Sequence, residues 1–461
     1  MKPVVLLDVV GLTPALVGSE TPHLQALAAR GCMAPLQAAF PAVTLSGQAS
    51  LSTGLPPSAH GIVGNGWYHR ELEEVHFWKQ PHRLLQAPTL AERLRQRAPD
   101  LRSAHLFWWF AMQAPADISV TPRPMYPADG RKIPDIHTSP AALRSSLQQR
   151  FGTFPLFHFW GPAAGIQSTQ WITQASCALI REQRPHLTQV YLPHLDYDFQ
   201  RYAADDARCA AALCEVDSAV GQLVAAAQAI EARVMVVSEY GITPVTSAVH
   251  PNRVLRQHGL LALRDELGRE VLDCGASRAF AVADHQVAHV YVRKAADIAQ
   301  VIQLFEATHG IDQVLHGEAL RASGLAHPRS GEIVLVAARE HWFTYYWWLN
   351  DALAPDYART VDIHRKPGYD PCELHFDPAL RFPKLRVARR LLARKLGQRA
   401  LLDVIGLDPS VVRGSHGRLP DSPSEGPVLI AEGLRRLPCD GAGVVPYARV
   451  PELVEQLLFD A

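Results

Sequence analysis

Valine-rich apolar runs that are continuous rather than alternating, separated by stretches of helical periodicity, leave few folds open to this chain. Residues 4–10 (VVLLDVV) are the first such run. A strand apolar on both faces needs cover on both sides, which is the pattern of a buried parallel strand. Thr21-Pro22 then opens a helix, with Thr at the cap and Pro in the first turn. Leu24, Leu27 and Ala28 keep helical spacing, and Gly31 closes it. Residues 34–40 return as a second strand. Further strands are expected at 189–192, 232–238, 287–292, 332–337 and 427–431, with helices near 169–183, 203–229, 297–308 and 380–396. Strands alternating with helices predict an α/β fold with a mostly parallel central sheet and helices on both faces.

Residues 65–162 break this rhythm. They carry Pro115, Pro122, Pro124, Pro127, Pro134 and Pro140 and much of the aromatic content. The expected organisation is therefore a core from residues 1–64 and 163–461, with 65–162 as an inserted cap region over the sheet.

Charge narrows the partners. Lys plus Arg and Asp plus Glu are both 45. That balance argues against a nucleic-acid polymer or a membrane surface as partner, since either calls for a basic excess. No run reaches the ~18 apolar residues that span a bilayer. The start, MKPVVLLDVVGL, is interrupted by Asp8 and lacks a signal-peptide cleavage pattern. The seven cysteines are odd in number, widely spread and without a C-x-x-C, which suits thiols in a reducing compartment. The expected location is cytoplasmic.

In an open α/β sheet, ligands bind where strands end at their carboxyl termini. Asp8 ends the first strand, Asp196 and Asp198 follow the strand at 189–192, and Glu239 follows the one at 232–238. A single such acid is as easily a cap or a loop ion pair. Three strands ending in acids point harder to a shared cation, because clustered carboxylates repel unless neutralised. Thr44 sits after a strand and before a helical stretch ending near Gly54. Capping explains it on its own. The same position aims a hydroxyl at the positive end of a helix, where an anionic phosphoryl group is held and a metal can activate the hydroxyl as a nucleophile.

These pieces resemble the alkaline phosphatase superfamily, in its type I phosphodiesterase/nucleotide pyrophosphatase branch. The resemblance is carried by Leu6-Leu7-Asp8, Thr21-Pro22-His23-Leu24 through Gly31, Phe40-Pro41 with Thr44, and Ser50-Leu51-Ser52-Thr53-Gly54. Pro57-Ser58-Ala59-His60-Gly61 through Asn65 follow. Looser matches are Pro193 with Asp196, Val237-Ser238-Glu239-Tyr240-Gly241 and Gly414-Ser415-His416-Gly417. They cover most of the core and leave 65–162 unmatched. The resemblance implies an alkaline-phosphatase-like fold and two divalent metal ions, zinc first, about 4 Å apart. It implies that Asp8 binds one ion and that Thr44, on the same ion, is the nucleophile of a covalent phospho-enzyme. Asn65 and the Thr44 backbone N–H would hold phosphoryl oxygens, and Asp196 and His416 would serve the second ion.

The chain departs from that branch at two motifs. Gln200 stands where Asp-x-x-x-His requires histidine, and Glu239-Tyr240-Gly241 replaces Asp-His-Gly. Glu239 ligates metal directly, while Gln200 and Tyr240 offer oxygen to harder ions such as manganese, magnesium or iron. His364, in the segment Val361 to Asp370, is one candidate replacement ligand. His194 is another, sharing a face with Asp196 if the segment is extended. His285 and His289, in a strand-like context, read as hydrogen-bonded core histidines. In the 65–162 region, Arg123, Asp129, Arg131 and Lys132 lie near Trp108, Trp109 and Tyr126. Cations beside aromatics suit an anionic or planar group, so Arg123 and Tyr126 are candidate substrate contacts.

The expected function is metal-dependent hydrolysis of a phosphodiester, phosphoanhydride or related phosphoryl bond, phosphonates included, on a small phosphorylated molecule. The alternative is a degenerate member that binds a phosphorylated ligand without turnover. A sulfatase lacks support because Thr44-Leu45-Ser46-Gly47-Gln48 has neither the Pro nor the Arg of that setting. A mutase would use serine.

Overall fold

Val4–Val9 (β1) is buried at every position. Alternate side chains feed two different layers, as strand geometry requires. Val5, Leu7 and Val9 pack with Leu24, Ile172, Val216 and Val220. Val4 and Leu6 pack on the other side with Leu51, Leu94 and Leu457. Burying each such side chain contributes about 1.5–3 kcal/mol, which is why this run is the seed of the central sheet. The computed structural model describes residues 1–128, 130–398 and 400–460.

The remaining strands of that sheet are Gly31–Pro35 (β2), Ser103–Leu106 (β3), Ile118–Pro122 (β4), Ile136–Ser139 (β5), Leu187–Leu192 (β6) and Arg233–Val237 (β7). Ala279–Asp284 (β8), Val287–Val292 (β9), Ile311–His316 (β10) and Ile333–Ala337 (β11) build a second sheet, and Val428–Glu432 (β12) returns to the first. The eight strands of the first sheet lie in the order β2-β12-β7-β1-β6-β3-β4-β5. The five from β7 to β4 are parallel neighbours. Both edges are antiparallel, through β12 and β2 on one side and β5 on the other. This is the mostly parallel α/β sheet expected.

Helices Pro22–Arg30 (α1), Ile166–Gln183 (α3), His194–Arg201 (α4) and Ala207–Gln228 (α5) share one side with Val5 and Leu7. Thr44–Thr53 (α2) contributes Leu51 to the other. A further helix, Pro383–Lys395 (α6), lies outside both layers.

The second sheet, ordered β8-β9-β11-β10, is antiparallel throughout. The strands expected at 287–292 and 332–337 form, but here rather than in the central sheet. Val287–Val292 pairs back on Ala279–Asp284 across the two-residue turn His285-Gln286, so the pair is a hairpin and not a parallel unit.

The cap expectation for 65–162 needs a larger correction. This region supplies β3, β4 and β5 to the central sheet itself. These strands read SAHL, ISVTP and IHTS. Such short, polar-rich sequences give no apolar run to find.

The expectation that no stretch is long and apolar enough to span a bilayer also needs amending. Among the described residues, α5 has that length and composition. One face of it forms core: Val216, Val220 and Leu223 are buried. Its buried Asp217 accepts hydrogen bonds from the backbone N–H groups of His23 and Leu24, each at 2.9 Å, and so caps α1. The seven cysteines are free thiols.

Candidate active site

Asp8 is the last but one residue of β1, in register with Tyr191 of β6 and Val237 of β7. Because these strands are parallel, their chains leave the sheet on the same side. Asp196, in α4 just after β6, and Glu239, just after β7, therefore arrive beside Asp8. Thr44 follows β2, which runs in the same direction as β7 and β1 because β2 and β7 both pair antiparallel with β12. It is the first residue of α2, while extended Val43 (φ −133°) takes the cap position. That places the Thr44 hydroxyl one residue further into the helix than the cap expected. One turn on, Gly47 lets α2 lie against Glu239: a Cβ at Gly47 would stand 3.0 Å from the Glu239 Cβ.

The carboxylates are short of partners. Asp8 Oδ2 accepts from Gln48 Nε2 at 2.9 Å, and Gln48 is itself held by Trp109 N–H donating to its Oε1 at 2.8 Å. Among the described residues, Asp8 Oδ1 and both Glu239 carboxylate oxygens have no hydrogen-bond partner. Burial pushes both acids above the usual carboxylate range, and the Asp8 charge pushes Glu239 further. Two buried acids with free oxygens side by side cost stability unless something positive stands between them.

A hydroxyl chain runs past this pair. Tyr240 Oη donates to Asp196 Oδ1 at 3.2 Å and lies 3.1 Å from Thr44 Oγ1. Since the phenol spends its proton on Asp196, the Thr44 hydroxyl is the donor to Tyr240. Burial, reinforced by the Asp196 charge, holds the Tyr240 phenol well above its ordinary range, so it stays neutral.

Four rings line up behind this chain, as two stacked pairs tilted 37° to each other at His416 and His285. Tyr240 and His416 have centroids 3.6 Å apart, His416 and His285 3.7 Å, His285 and Tyr369 3.5 Å. His416 Nδ1 donates to the Ala42 carbonyl at 2.8 Å, and its Nε2 lies 3.5 Å from Asp196 Oδ1. His285 Nδ1 is 2.8 Å from Asp284 Oδ1, and burial holds this imidazole neutral, its pKa well below the ordinary value.

Asn65 stands across from Thr44. Its Oδ1 accepts from Leu45 N–H at 3.0 Å, and its Nδ2 donates to Asp284 Oδ1 at 3.1 Å. Asp284 Oδ2 also accepts the Asn65 backbone N–H at 2.7 Å. The residue is fixed at three points, two of them on its side-chain amide, which keeps one N–H for a ligand. Trp78, Trp109, Trp160 and Tyr369 form an aromatic wall: Trp78 lies 5.3 Å from Trp109 and 6.1 Å from Tyr369, and Trp160 lies 5.4 Å from Tyr369.

Of the residues singled out in the sequence, the fold brings Asp8, Thr44, Asn65, Asp196, Glu239, Tyr240 and His416 together. Gln200 is committed to the ring stack rather than to the carboxylates. Its side-chain amide pairs with the Tyr369 hydroxyl through both N and O, at 3.2 and 3.3 Å. His364 packs on Tyr126 with centroids 6.2 Å apart, and its surroundings are Phe77, Lys79, Lys132 and Asp362 rather than the site carboxylates. His194 opens helix α4 instead of lying on an extended segment, so a two-residue step takes it off the face of Asp196. It bonds Glu215 at 2.8 Å. Arg123 Nη1 reaches Met112 Sδ at 3.2 Å, and Tyr126 is exposed. Asp129 lies outside the described residues.

Sequence reasoning missed Gln48, Asp284 and Tyr369, and read His285 as core. His289 does sit in the core, with Nε2 on the Val63 carbonyl and Nδ1 accepting from Gly331 N–H. His285 differs because it occupies the hairpin turn at φ +60°. The available signal was AFAVAD-HQ-VAHVYV, two apolar runs around a polar pair.

Among the described residues, no three His, Cys, Asp or Glu side chains already converge on one point. The donor chemistry still fits one cation. Asp8 Oδ1 and the Glu239 oxygens are buried and unpartnered, and Thr44 and Tyr240 add hydroxyls. All of these donors are oxygen, which suits magnesium or manganese better than zinc. The second position does not fit. With Gln200 committed to Tyr369, only Asp196 and His416 remain there, and Tyr240 holds Asp196.

A model of the type I phosphodiesterase/nucleotide pyrophosphatase family matches residues 4–370, running through 65–162 as well. No curated protein sequence matches. Among solved structures, phosphonoacetate hydrolase from Sinorhizobium meliloti in complex with phosphonoformate superposes with a TM-score of 0.63 at 16% identity, covering 99% of this chain and 96% of that one. Murine ectonucleotide pyrophosphatase/phosphodiesterase 5, as an inactive form in complex with AMP, gives 0.59 at 14% identity, covering 99% and 95%. The human protein of the same name gives the same figures.

Proposed function

The chain belongs to the type I phosphodiesterase/nucleotide pyrophosphatase family, a family of phosphoric ester hydrolases, and from that premise we propose that Thr44 is its nucleophile against phosphorus. The supporting observation is the placement of one hydroxyl. Thr44 Oγ1 begins a buried helix at the edge where Asp8 and Glu239 keep three carboxylate oxygens without a partner, and has an outlet for its proton through Tyr240 Oη to Asp196 Oδ1.

In this reading Asp8 and Glu239, with the Thr44 and Tyr240 hydroxyls, hold one divalent cation. When bound, that ion supplies positive charge beside the Thr44 oxygen and offsets the two carboxylates. The remaining Asn65 Nδ2–H and the Thr44 backbone N–H, unpaired in the first turn of α2, orient the phosphoryl oxygens. As the Thr44 oxygen bonds to phosphorus, its proton moves to Tyr240 Oη and the phenol proton moves to Asp196 Oδ1. The bond from phosphorus to the leaving group breaks, and the leaving group takes a proton from solvent. Water then attacks phosphorus and releases one proton to solvent, the bond to Thr44 breaks, and the proton held on Asp196 returns through Tyr240 Oη to the Thr44 oxygen.

The substrate class is a small molecule with a phosphodiester, phosphoanhydride or phosphonate group. Phosphonates stay in it because a structural neighbour is a phosphonoacetate hydrolase crystallised with phosphonoformate. The aromatic wall supports a planar group at the other end of the substrate. The test is Thr44→Ala assayed on bis-p-nitrophenyl phosphate, p-nitrophenyl phosphate and a carboxy-phosphonate panel, with magnesium, manganese and zinc in turn. Loss of all turnover is expected, and unchanged hydrolysis would sink the assignment.

A second reading, ligand binding without turnover, is favoured by one observation: Gln200 and Tyr240 both spend their polar groups inside the protein. A purified chain that neither contains nor takes up metal, and turns over none of the panel, would support it.

A further inference from the structure

Helix α6 carries a strongly basic stretch in a chain whose total charge is zero. Between Asp377 and Asp403 the sequence has eight cations (Arg381, Lys384, Arg386, Arg389, Arg390, Arg394, Lys395 and Arg399) and no acid. The balanced total therefore hides a local excess, and the argument from net charge against a membrane surface does not hold for this segment.

The structure divides the helix into two faces. Towards the body, Val387 packs with Cys372, Val404 and Ile405, and Arg386 and Arg390 both clasp Asp403. Towards solvent stand Phe382, Leu385, Leu392 and Leu396, at 68, 66, 57 and 71% exposure. Leu385, Arg389 and Leu392 step by four and three residues along one stripe of the helix, and Phe382 and Leu396 flank its two ends, tied in by Arg386 N–H donating to the Phe382 carbonyl and Leu396 N–H donating to the Leu392 carbonyl. Among the described residues, Arg381, Lys384, Arg389 and Lys395 have no acidic partner.

We propose that α6 docks this chain on an anionic lipid surface, with Phe382, Leu385, Leu392 and Leu396 entering the headgroup boundary and the flanking cations meeting lipid phosphates. Large apolar side chains beside unpaired cations are the make-up of a helix that lies in a bilayer interface. At 13 residues, about 20 Å long, it lies on a membrane and does not span one. A second copy of this chain is disfavoured as occupant, because apposing two such helices would bring two uncompensated basic segments together. A nucleic acid would use the cations and leave the leucines in water.

The test is co-sedimentation of the full chain with phosphatidylglycerol-containing vesicles against pure phosphatidylcholine vesicles. Binding only to the anionic vesicles, weakened by salt, is expected. The charge variant Arg389→Glu/Lys395→Glu should bind more weakly by at least about fivefold per cation removed, and Leu385→Glu/Leu392→Glu should abolish binding. Circular dichroism and turnover of a soluble substrate should match the parent for both variants. Equal binding to both vesicle types, or full binding by the leucine variant, overturns the proposal. So does concentration-dependent dimerisation without vesicles that the leucine variant removes, since the face would then belong to a second copy.

Discussion

The Tyr240 ring lies flat on His416, with centroids 3.6 Å apart and planes 7° from parallel. Its ring and its hydroxyl do separate jobs. The ring holds His416 in place, and the hydroxyl links Thr44 to Asp196. Tyr240→Phe keeps the stack and removes the link. We expect kcat to fall about 10²-fold, the usual scale of a lost proton-transfer partner, with KM little changed and thermal stability close to the parent. Steady-state kinetics decide this; an unaltered kcat would show that the Thr44 proton leaves by another route.

On the one-cation reading proposed above, Gln200 leaves a second position short of a donor. Its amide is tied to the Tyr369 hydroxyl, leaving Asp196 and His416 as a pair of donors. Gln200→His adds a nitrogen beside them. Elemental analysis after dialysis against zinc should then rise from one bound equivalent towards two. If the content stays at one, the lost histidine is not what limits the site.

Glu239 works against the fold when no cation is bound, because its two free oxygens face Asp8 in the interior. In the presence of a chelator, Glu239→Gln should stabilise the protein by about 1–3 kcal/mol, by removing a buried acid that must either be held protonated or face the Asp8 charge unpaired. The parent gains about 2.7 kcal/mol when the cation is a hundredfold above its dissociation constant, and the variant should gain almost none. Melting curves with and without manganese test both halves. A variant that is less stable in chelator would mean that Glu239 has a partner the geometry does not reveal.

The core of this site is written in local sequence, and its surroundings are not. Asp8 and Glu239 could be read because a parallel strand delivers its last residues to one edge. Thr44 could be read because it falls where a helix starts. His285 and Asp284 could not, since they reach the site from the hairpin turn of a second sheet whose approach depends on tertiary packing. His194 was misjudged for a local reason: two residues after β6 the chain is already helical, and the face-sharing rule changes with it. The strands at 103–106, 118–122 and 136–139 escaped notice because each is short and carries His105, Ser119, Thr121 or Thr138 among its apolar residues. Sheet pairing, rather than hydrophobic pattern, recruits them.

His60 sets an acid limit on stability that is independent of the cation site. It is buried, its Nδ1 accepts from Ile62 N–H at 3.1 Å, and its Nε2 proton faces Ser50 Oγ at 3.0 Å. Protonating Nδ1 would set two donors against each other. Burial, aided by the charge of His327, pulls its pKa down from 6.5 to about 3. The unfolded chain takes up this proton below pH 6.5 while the folded chain does not. The contribution is therefore complete above pH 6.5 and is lost progressively as pH falls towards 3, at up to about 1.4 kcal/mol per pH unit. His105, pulled down to about 4 by burial, adds a loss of the same sign. His60→Asn keeps an acceptor for Ile62 N–H and removes the titration. Denaturant melts at intervals from pH 7 to pH 5 should show a shallower decline for the variant than for the parent. Parallel declines would mean that a proton enters elsewhere first.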